Sequence, residues 1–271
     1  MTRRPAKARV VSLARAAVFL AALLTASLAA GGVAAEPVPQ KVVVLTFDDA
    51  VRSHFTVVRP ILLEHRFSAT FFVTEGFDFP INKRDYMSWK QIAQLHLDGF
   101  EIGNHTRDHL EVTARSLPKL RQQIDAITDK CHRYGIATPV SFAYPGNAVH
   151  LDALPILAAA GFRFARRGGS PEYSYESGQG VGFSPGQQSP LLIPSTGDAR
   201  PEWTLDDFKA ALARASHGQV PVFQFHGVPD LRHPWVSTQP HRFREFMEYL
   251  AQQGYQVLAL RDLERFLSTA D

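Results

Sequence analysis

The chain has 271 residues, 45% hydrophobic and 20% charged, a composition that suits one large cored domain and excludes disorder as its organising principle. Its net charge of +3 arises in the first 35 residues, where Arg3, Arg4, Lys7, Arg9 and Arg15 stand without a single acid. The remainder is slightly acidic, about −2, which excludes broad electrostatic attraction to nucleic acid or to an acidic surface. Cys131 is the only cysteine, so there is no intramolecular disulfide framework and no multi-cysteine zinc site.

In chain order, the first segment has the three parts of an export signal. A basic stretch runs to Arg15, an apolar run covers Ala16–Ala30, and the small residues Val33-Ala34-Ala35 precede Glu36-Pro37. The apolar run falls short of the roughly 20 residues that span a bilayer. The expectation is a secretory signal peptide over residues 1–35, removed on export. That leaves a domain of residues 36–271 in the periplasm, the cell envelope or the medium, with no stable membrane span.

From Lys41 onward short apolar runs alternate with longer amphipathic stretches. Strands are predicted at Val42–Phe47, Thr70–Thr74, Glu101–Gly103, Val140–Ala143, Phe162–Ala165, Leu191–Pro194, Val220–Phe225 and Gln256–Leu260. Helices are predicted at Val57–His65, Ser88–Asp98, Leu117–Tyr134, Asp152–Ala160, Thr204–Ser216 and Arg242–Gln253. Gly99, Gly135, Gly161, Gly218 and Gly254 close several of these segments, as the left-handed residue after a helix requires. Strand-helix alternation of this kind predicts an α/β fold, a parallel sheet surrounded by helices, and the strand count favours a barrel over an open doubly wound sheet. The glycine-rich stretch Arg166–Ser189, with Pro171, Tyr173, Tyr175 and Pro185, is too long for a simple connection and reads as a functional or mobile loop.

The residues that carry chemistry stand where predicted strands end. Asp48 and Asp49 follow Val-Leu-Thr-Phe; neighbouring side chains inside a strand point to opposite faces, so two acids can serve one site only where the strand stops. His105 and His109 lie in Glu-Ile-Gly-Asn-His-Thr-Arg-Asp-His, and imidazoles four residues apart converge on one metal when the segment turns helically. His226 ends Val-Phe-Gln-Phe. Each alone also fits a solvated turn, a helix cap or a structural histidine. Their shared position matters more, because α/β barrels assemble active sites at strand C-termini. Asp49, His105 and His109 then form a two-histidine, one-carboxylate shell, leaving Asp48 and His226 as an acid/base pair. Tyr144-Pro145-Gly146 is the candidate segment for a backbone N–H facing the oxyanion. Asp230 and Asp198 are both candidates to support His226.

These motifs resemble the polysaccharide deacetylases of carbohydrate esterase family four, the nodulation-deacetylase homology domain, over Lys41 to about Leu267. The resemblance rests on Thr-Phe-Asp48-Asp49, Asn-His105-Thr-Arg-Asp-His109 and the apolar strand ending at His226. It implies a distorted (β/α) barrel with about seven strands and a metal-dependent hydrolase removing N-acetyl, or O-acetyl, groups from an acetylated polysaccharide. In that reading Asp48 is the general base and His226 the general acid. Asp49, His105 and His109 hold a divalent metal, zinc first, with cobalt, nickel or manganese as substitutes.

The sequence departs from the family at two places. The third motif normally reads Arg-x-Pro-aromatic, with the arginine orienting the catalytic aspartate, but here it is Ala143-Tyr144-Pro145-Gly146. Arg166 and Arg167, at the end of the next predicted strand, stand ready to substitute or to contact substrate. The fourth motif, an acid and tryptophan pair, is not recognisable in Arg166–Ser189. Trp235, Tyr173 and Tyr175 are candidates for stacking on sugar or for packing. Two alternatives remain at this level: a hydrolase of a small non-sugar amide or cyclic ureide on the same fold, and a catalytically inactive secreted carbohydrate-binding protein.

Overall fold

The computed structural model describes residues 34–267. Apart from Ala34 and Ala35, the expected export signal lies outside the described residues. Strand β1 (Val42–Phe47) is buried along its whole length. One of its edges pairs with β8 (Val222–Phe225), from Val44↔Val222 to Phe47↔Phe225. The other edge is shared: β9 (Gln256–Leu258) takes Val42–Val44 and β2 (Thr70–Val73) takes Thr46 and Phe47. Beyond β2 the sheet runs through β3 (Glu101–Asn104), β4 (Ser141–Ala143), β5 (Phe164–Arg167) and β6 (Ile193–Pro194), and beyond β8 lies β7 (Gly197–Asp198).

Every pairing between these strands is parallel, so the chain returns outside the sheet between paired strands. The main return helices are α1 (Arg59–His65), α2 (Trp89–Leu97), α3 (Leu117–Arg133), α4 (Ala153–Ala159), α5 (Leu205–Ala213) and α6 (Pro240–Gln252). Their ends follow local chemistry. Ser88 with Gln91 and Thr204 with Asp207 form reciprocal caps at the starts of α2 and α5. All five glycines expected to close segments have positive φ.

Covered on both faces, the strands alternate between two cores. Val43, Leu45 and Phe47 join the cluster under the helices, where Phe47 stacks between Phe71 and Phe225 at 5.0 and 5.4 Å. Val42 and Val44 instead join Phe72, Phe164, Ile193 and Val222. Each such fully buried side chain contributes roughly 1.5–3 kcal/mol of apolar transfer.

The sheet curls into a distorted barrel without a closing ladder. Its edge strands β6 and β7 are separated only by Ser195 and Thr196. Ser195 N–H donates to Arg167 on β5, and Thr196 N–H donates to Val222 on β8. Covalent chain therefore crosses the gap. At the N-terminal end of the strands, the buried Glu101 carboxylate accepts from Thr70 Oγ1 (2.7 Å), Ser141 Oγ (2.6 Å) and Arg261 N–H (2.9 Å), tying β2, β3, β4 and the last helical turn together.

Two local departures from expectation have physical causes. Among the described residues there are nine strands rather than the eight predicted runs or the about seven that the resemblance implies, because β7, Gly197–Asp198, is too short to show periodicity. The start of the helix expected at Val57–His65 is preceded by a π-helical turn, His54–Val58, in which Arg59 N–H donates to His54 C=O. Pro60 has no N–H to continue the regular pattern to Thr56, so the chain widens there.

Candidate metal centre and catalytic cavity

The C-terminal ends of β1, β3 and β8 open onto a cavity of about 170 Å³ lined by Asp48, Asp49, His105, His109 and His226, with Phe77, Gly146, Asn147, Tyr175, Gln224, His233, Trp235 and Val236. All five residues expected to carry chemistry are brought together. The backbone around them is strained: Asp49, Ala50, Phe77, Thr106, His109 and Asn147 have positive φ, six of the seven such non-glycine residues among those described. Arg66, the seventh, ends α1.

Polar side chains fold the turn that carries the two histidines. Asn104 Oδ1 accepts from Thr106 N–H, Thr106 Oγ1 from Leu110 N–H, and Thr74 Oγ1 from both Gly76 N–H and His109 N–H. Position 76 must be glycine, since a Cβ there would stand 2.8 Å from His109 Cβ. In consequence His105 Nε2 and His109 Nε2 lie 3.5 and 3.4 Å from Asp49 Oδ1, and one ligand atom of each residue falls within 4.8 Å of the others.

These residues fit a divalent ion. Asp49 Oδ1 is buried and has no hydrogen-bond partner, the state of an acceptor reserved for something other than protein. His105 Nδ1 donates to Ala143 C=O at 2.8 Å, which turns the Nε2 lone pair toward Asp49. Burial would raise the Asp49 pKa, but the facing imidazoles of His105, His109 and His226 outweigh it and hold the carboxyl well below its usual range. Burial, reinforced by His105, pushes His109 down to about 4, keeping it neutral as a ligand must be. At His105 burial also disfavours the charged form, yet Asp48 and Asp49 outweigh it and raise the pKa, so ligation there competes with a proton.

Asp48 is held differently. Arg166 Nη2 donates to its Oδ2 at 2.5 Å, and Gln224 Nε2 donates to the same oxygen at 3.2 Å. Oδ1 is left buried and unpartnered. Arg166 is fully buried, and on β5 it is the register partner of Ala143 on β4. The arginine missing at position 143 is therefore supplied by the residue directly across the ladder. Across the cavity, His226 Nδ1 faces Asp198 Oδ1 at 3.8 Å, with Arg200 Nη2 2.9 Å from Asp198 Oδ2. Burial raises the Asp198 pKa, against the lowering effect of His226, Arg200 and Arg166. Asp198, on β7, is the acid beside His226. Asp230 turns back on its own loop, where its Oδ1 accepts from Arg232 and His233 N–H.

Three expected contacts fall elsewhere. Tyr144 is buried outside the cavity lining, its N–H donates to Arg166 C=O and its hydroxyl to Leu191 C=O, so only Gly146 of that segment reaches the cavity. Arg167 pairs with Glu172 and lines a neighbouring cavity. Arg166 contacts Asp48 rather than open space. Trp235 does line the cavity, and Tyr175 does so where Tyr173 does not. Gln224, Ser53 and His54 went unread. A glutamine two residues before His226 in an apolar strand was the available signal for the first, while the other two gave none.

A parallel α/β barrel with a buried Asp-His-His cluster and a flanking carboxylate has the donor set to hold a divalent ion at the C-terminal ends of its strands. The polysaccharide deacetylase family model matches residues 35–165, and over this stretch the chain is similar to that family. It is 28% identical over 128 residues to a peptidoglycan-N-acetylglucosamine deacetylase of Bacillus cereus, covering 47% of this chain and 56% of that protein. It is 33% identical over 127 residues to a chitooligosaccharide deacetylase of Azorhizobium caulinodans, covering 46% and 57%. The chain thus matches little more than half the length of these relatives. In structure it is similar to a family 4 acetyl xylan esterase from Clostridium thermocellum, solved with a cobalt ion, at a TM-score of 0.54 and 21% identity over 82% of this chain and 90% of that one.

Proposed function

We propose that the chain is a metal-dependent deacetylase that removes N-acetyl, or O-acetyl, groups from a polysaccharide. The observation that carries this reading is the gathering of Asp48, Asp49, His105, His109 and His226 in one cavity, with an oxygen of each aspartate buried and unpartnered. The relatives' activities on peptidoglycan, chitooligosaccharide and acetyl xylan support the substrate class. Asp49, His105 and His109 hold the ion, zinc being the first choice for this donor set. When bound, such an ion supplies Lewis acidity toward the acyl carbonyl and acidifies water toward neutrality.

The chain's own residues do the rest. Asp48 accepts the proton of the attacking water on Oδ1, because Arg166 and Gln224 occupy Oδ2 and fix the carboxylate plane. His226, backed by Asp198, gives a proton to the departing nitrogen or oxygen. Gly146 is the member of its segment placed to meet the oxyanion. Exposed Trp235 and Tyr175 at the cavity mouth present faces for a pyranose ring.

The basic and apolar segment at residues 1–35, read as an export signal, supports the assignment to an envelope polymer, and the intact mass of the protein recovered outside the cytoplasm decides whether it is removed. No helix among the described residues is long and apolar enough to cross a membrane. The functional test is acetate release by purified protein, loaded with zinc or cobalt, from peptidoglycan, chitin, poly-N-acetylglucosamine and acetylated xylan. At least one polymer should release acetate, chelator should stop it, and His105→Ala should lose both metal and activity. Metal-loaded protein that releases none from any of them overturns the reading.

A further inference from the structure

The π-helical turn after β1 places two polar residues beneath the loop that follows His226. His54 is fully buried, boxed by Phe47 and Phe71 at ring distances of 5.5 and 5.6 Å. Its Nε2 lies 3.0 Å from His226 C=O, so Nε2 must carry the proton and donate it. Adjacent Ser53 accepts from Val228 N–H at 2.7 Å through Oγ. These contacts take the groups on either side of Gly227, where a Cβ would stand 2.6 Å from Asp230. His54 Nδ1 is buried without a partner, a cost that packing alone would remove by placing an apolar ring there.

We infer that Ser53 and His54 are positioning residues for His226: they clamp the peptide backbone on both sides of Gly227 and thereby set where the proton-donating imidazole stands. The inference rests on the reading of His226 as the acid, and neither residue touches the metal cluster or substrate. Burial that pushes His54 down to about 4 keeps the clamp in its donating neutral form through the neutral range.

His54→Phe keeps a ring in the aromatic box and removes the donor. With metal content unchanged and the unfolding midpoint near wild type, because the stranded His226 carbonyl is offset by removal of the unpartnered Nδ1, kcat should fall about tenfold while KM stays within about twofold, since misplacement of a reacting group is felt in the chemical step. His54→Gln, which restores an N–H, should recover most of the loss, and Ser53→Ala should show a smaller one. In a His226→Ala background, His54→Phe should change nothing further, because the group it positions is absent. An equal loss in both backgrounds, or a loss that tracks stability or metal, overturns the inference, as does full activity in His54→Phe. Amide hydrogen exchange gives an arm independent of activity: Gly227 and Val228 should exchange faster in both single variants, while β1 and β8 stay protected. Unchanged exchange overturns the clamp even if deacetylation is confirmed, and faster exchange in a protein that releases no acetate keeps the clamp while the catalytic reading falls.

Discussion

The two ends of the barrel hold buried carboxylates in opposite states. At the N-terminal end, Glu101 receives two hydroxyls and a backbone N–H, and the residues around it adopt ordinary conformations. At the C-terminal end, Asp48 and Asp49 each keep a buried oxygen without a partner, and the backbone beside them is forced to positive φ. A carboxylate whose acceptor sites are filled from within can only stabilise. One whose sites are left open against the cost of desolvation is kept for a ligand or a proton. The difference separates stability from function along a single axis, as in other α/β barrels.

The sharpest way to break this contrast is at the open end. Asp48→Asn and His226→Ala should each lower acetate release by about 10²–10⁴-fold, the usual contribution of a general base or acid. Bound metal and the unfolding midpoint should stay near wild type. Near-normal rates at saturating metal would remove both residues from the chemistry.

At the closed end the effect should change kind. Glu101→Ala strands Thr70, Ser141 and Arg261 N–H, so stability should drop by roughly 3 kcal/mol in urea unfolding. The rate per folded molecule should remain within about twofold. A variant that unfolds normally but deacetylates poorly would mean that the two ends are not separated as described.

The third measurement sharpens the comparison through His54, which lies under the active end but acts as a core residue. Burial pushes its pKa from 6.5 down to about 4. Between those values the unfolded chain binds a proton that the folded chain refuses. The stabilisation is therefore complete above pH 6.5 and lost as pH falls toward 4, reaching about 3 kcal/mol at most. Glu101, raised by burial, acts in the opposite direction at acid pH. The difference between wild type and His54→Phe isolates the histidine. Parallel stability curves for the two proteins from pH 7 to 4.5 would show that His54 protonates in the folded state.

Much of the architecture could be read from period and punctuation, because parallel strands buried on both faces appear as uninterrupted apolar runs and the glycines that end helices are conspicuous. The cluster was legible for a related reason: chemistry-bearing residues placed directly after such runs inherit their position. Partners set by register were not legible. Arg166 and Arg167 stood as equal substitutes for the missing arginine, and the choice of Arg166 depends on its pairing with Ala143 across the helix α4 crossover. Likewise Asp198 and Asp230 looked equivalent beside His226. The choice was made by a two-residue strand that lays Asp198 opposite Gln224, while the other acid is consumed by its own turn. His54 was invisible for the same reason, since its partner is 172 residues away.

The seam between β6 and β7, which no strand pairing closes, has a mechanical meaning. Ser195, in that bridge, accepts from Arg166 Nη1 through Oγ and donates its hydroxyl to Gln224 Oε1. Arg166 belongs to β5 on one flank of the seam and Gln224 to β8 on the other, and both grip the same oxygen of Asp48. The circumference of the barrel at this point is thus spanned by a three-residue yoke with the carboxylate at its centre. A change in girth there cannot leave both grips intact, so the tautness of the weakest join in the wall is transmitted to the Asp48 carboxylate.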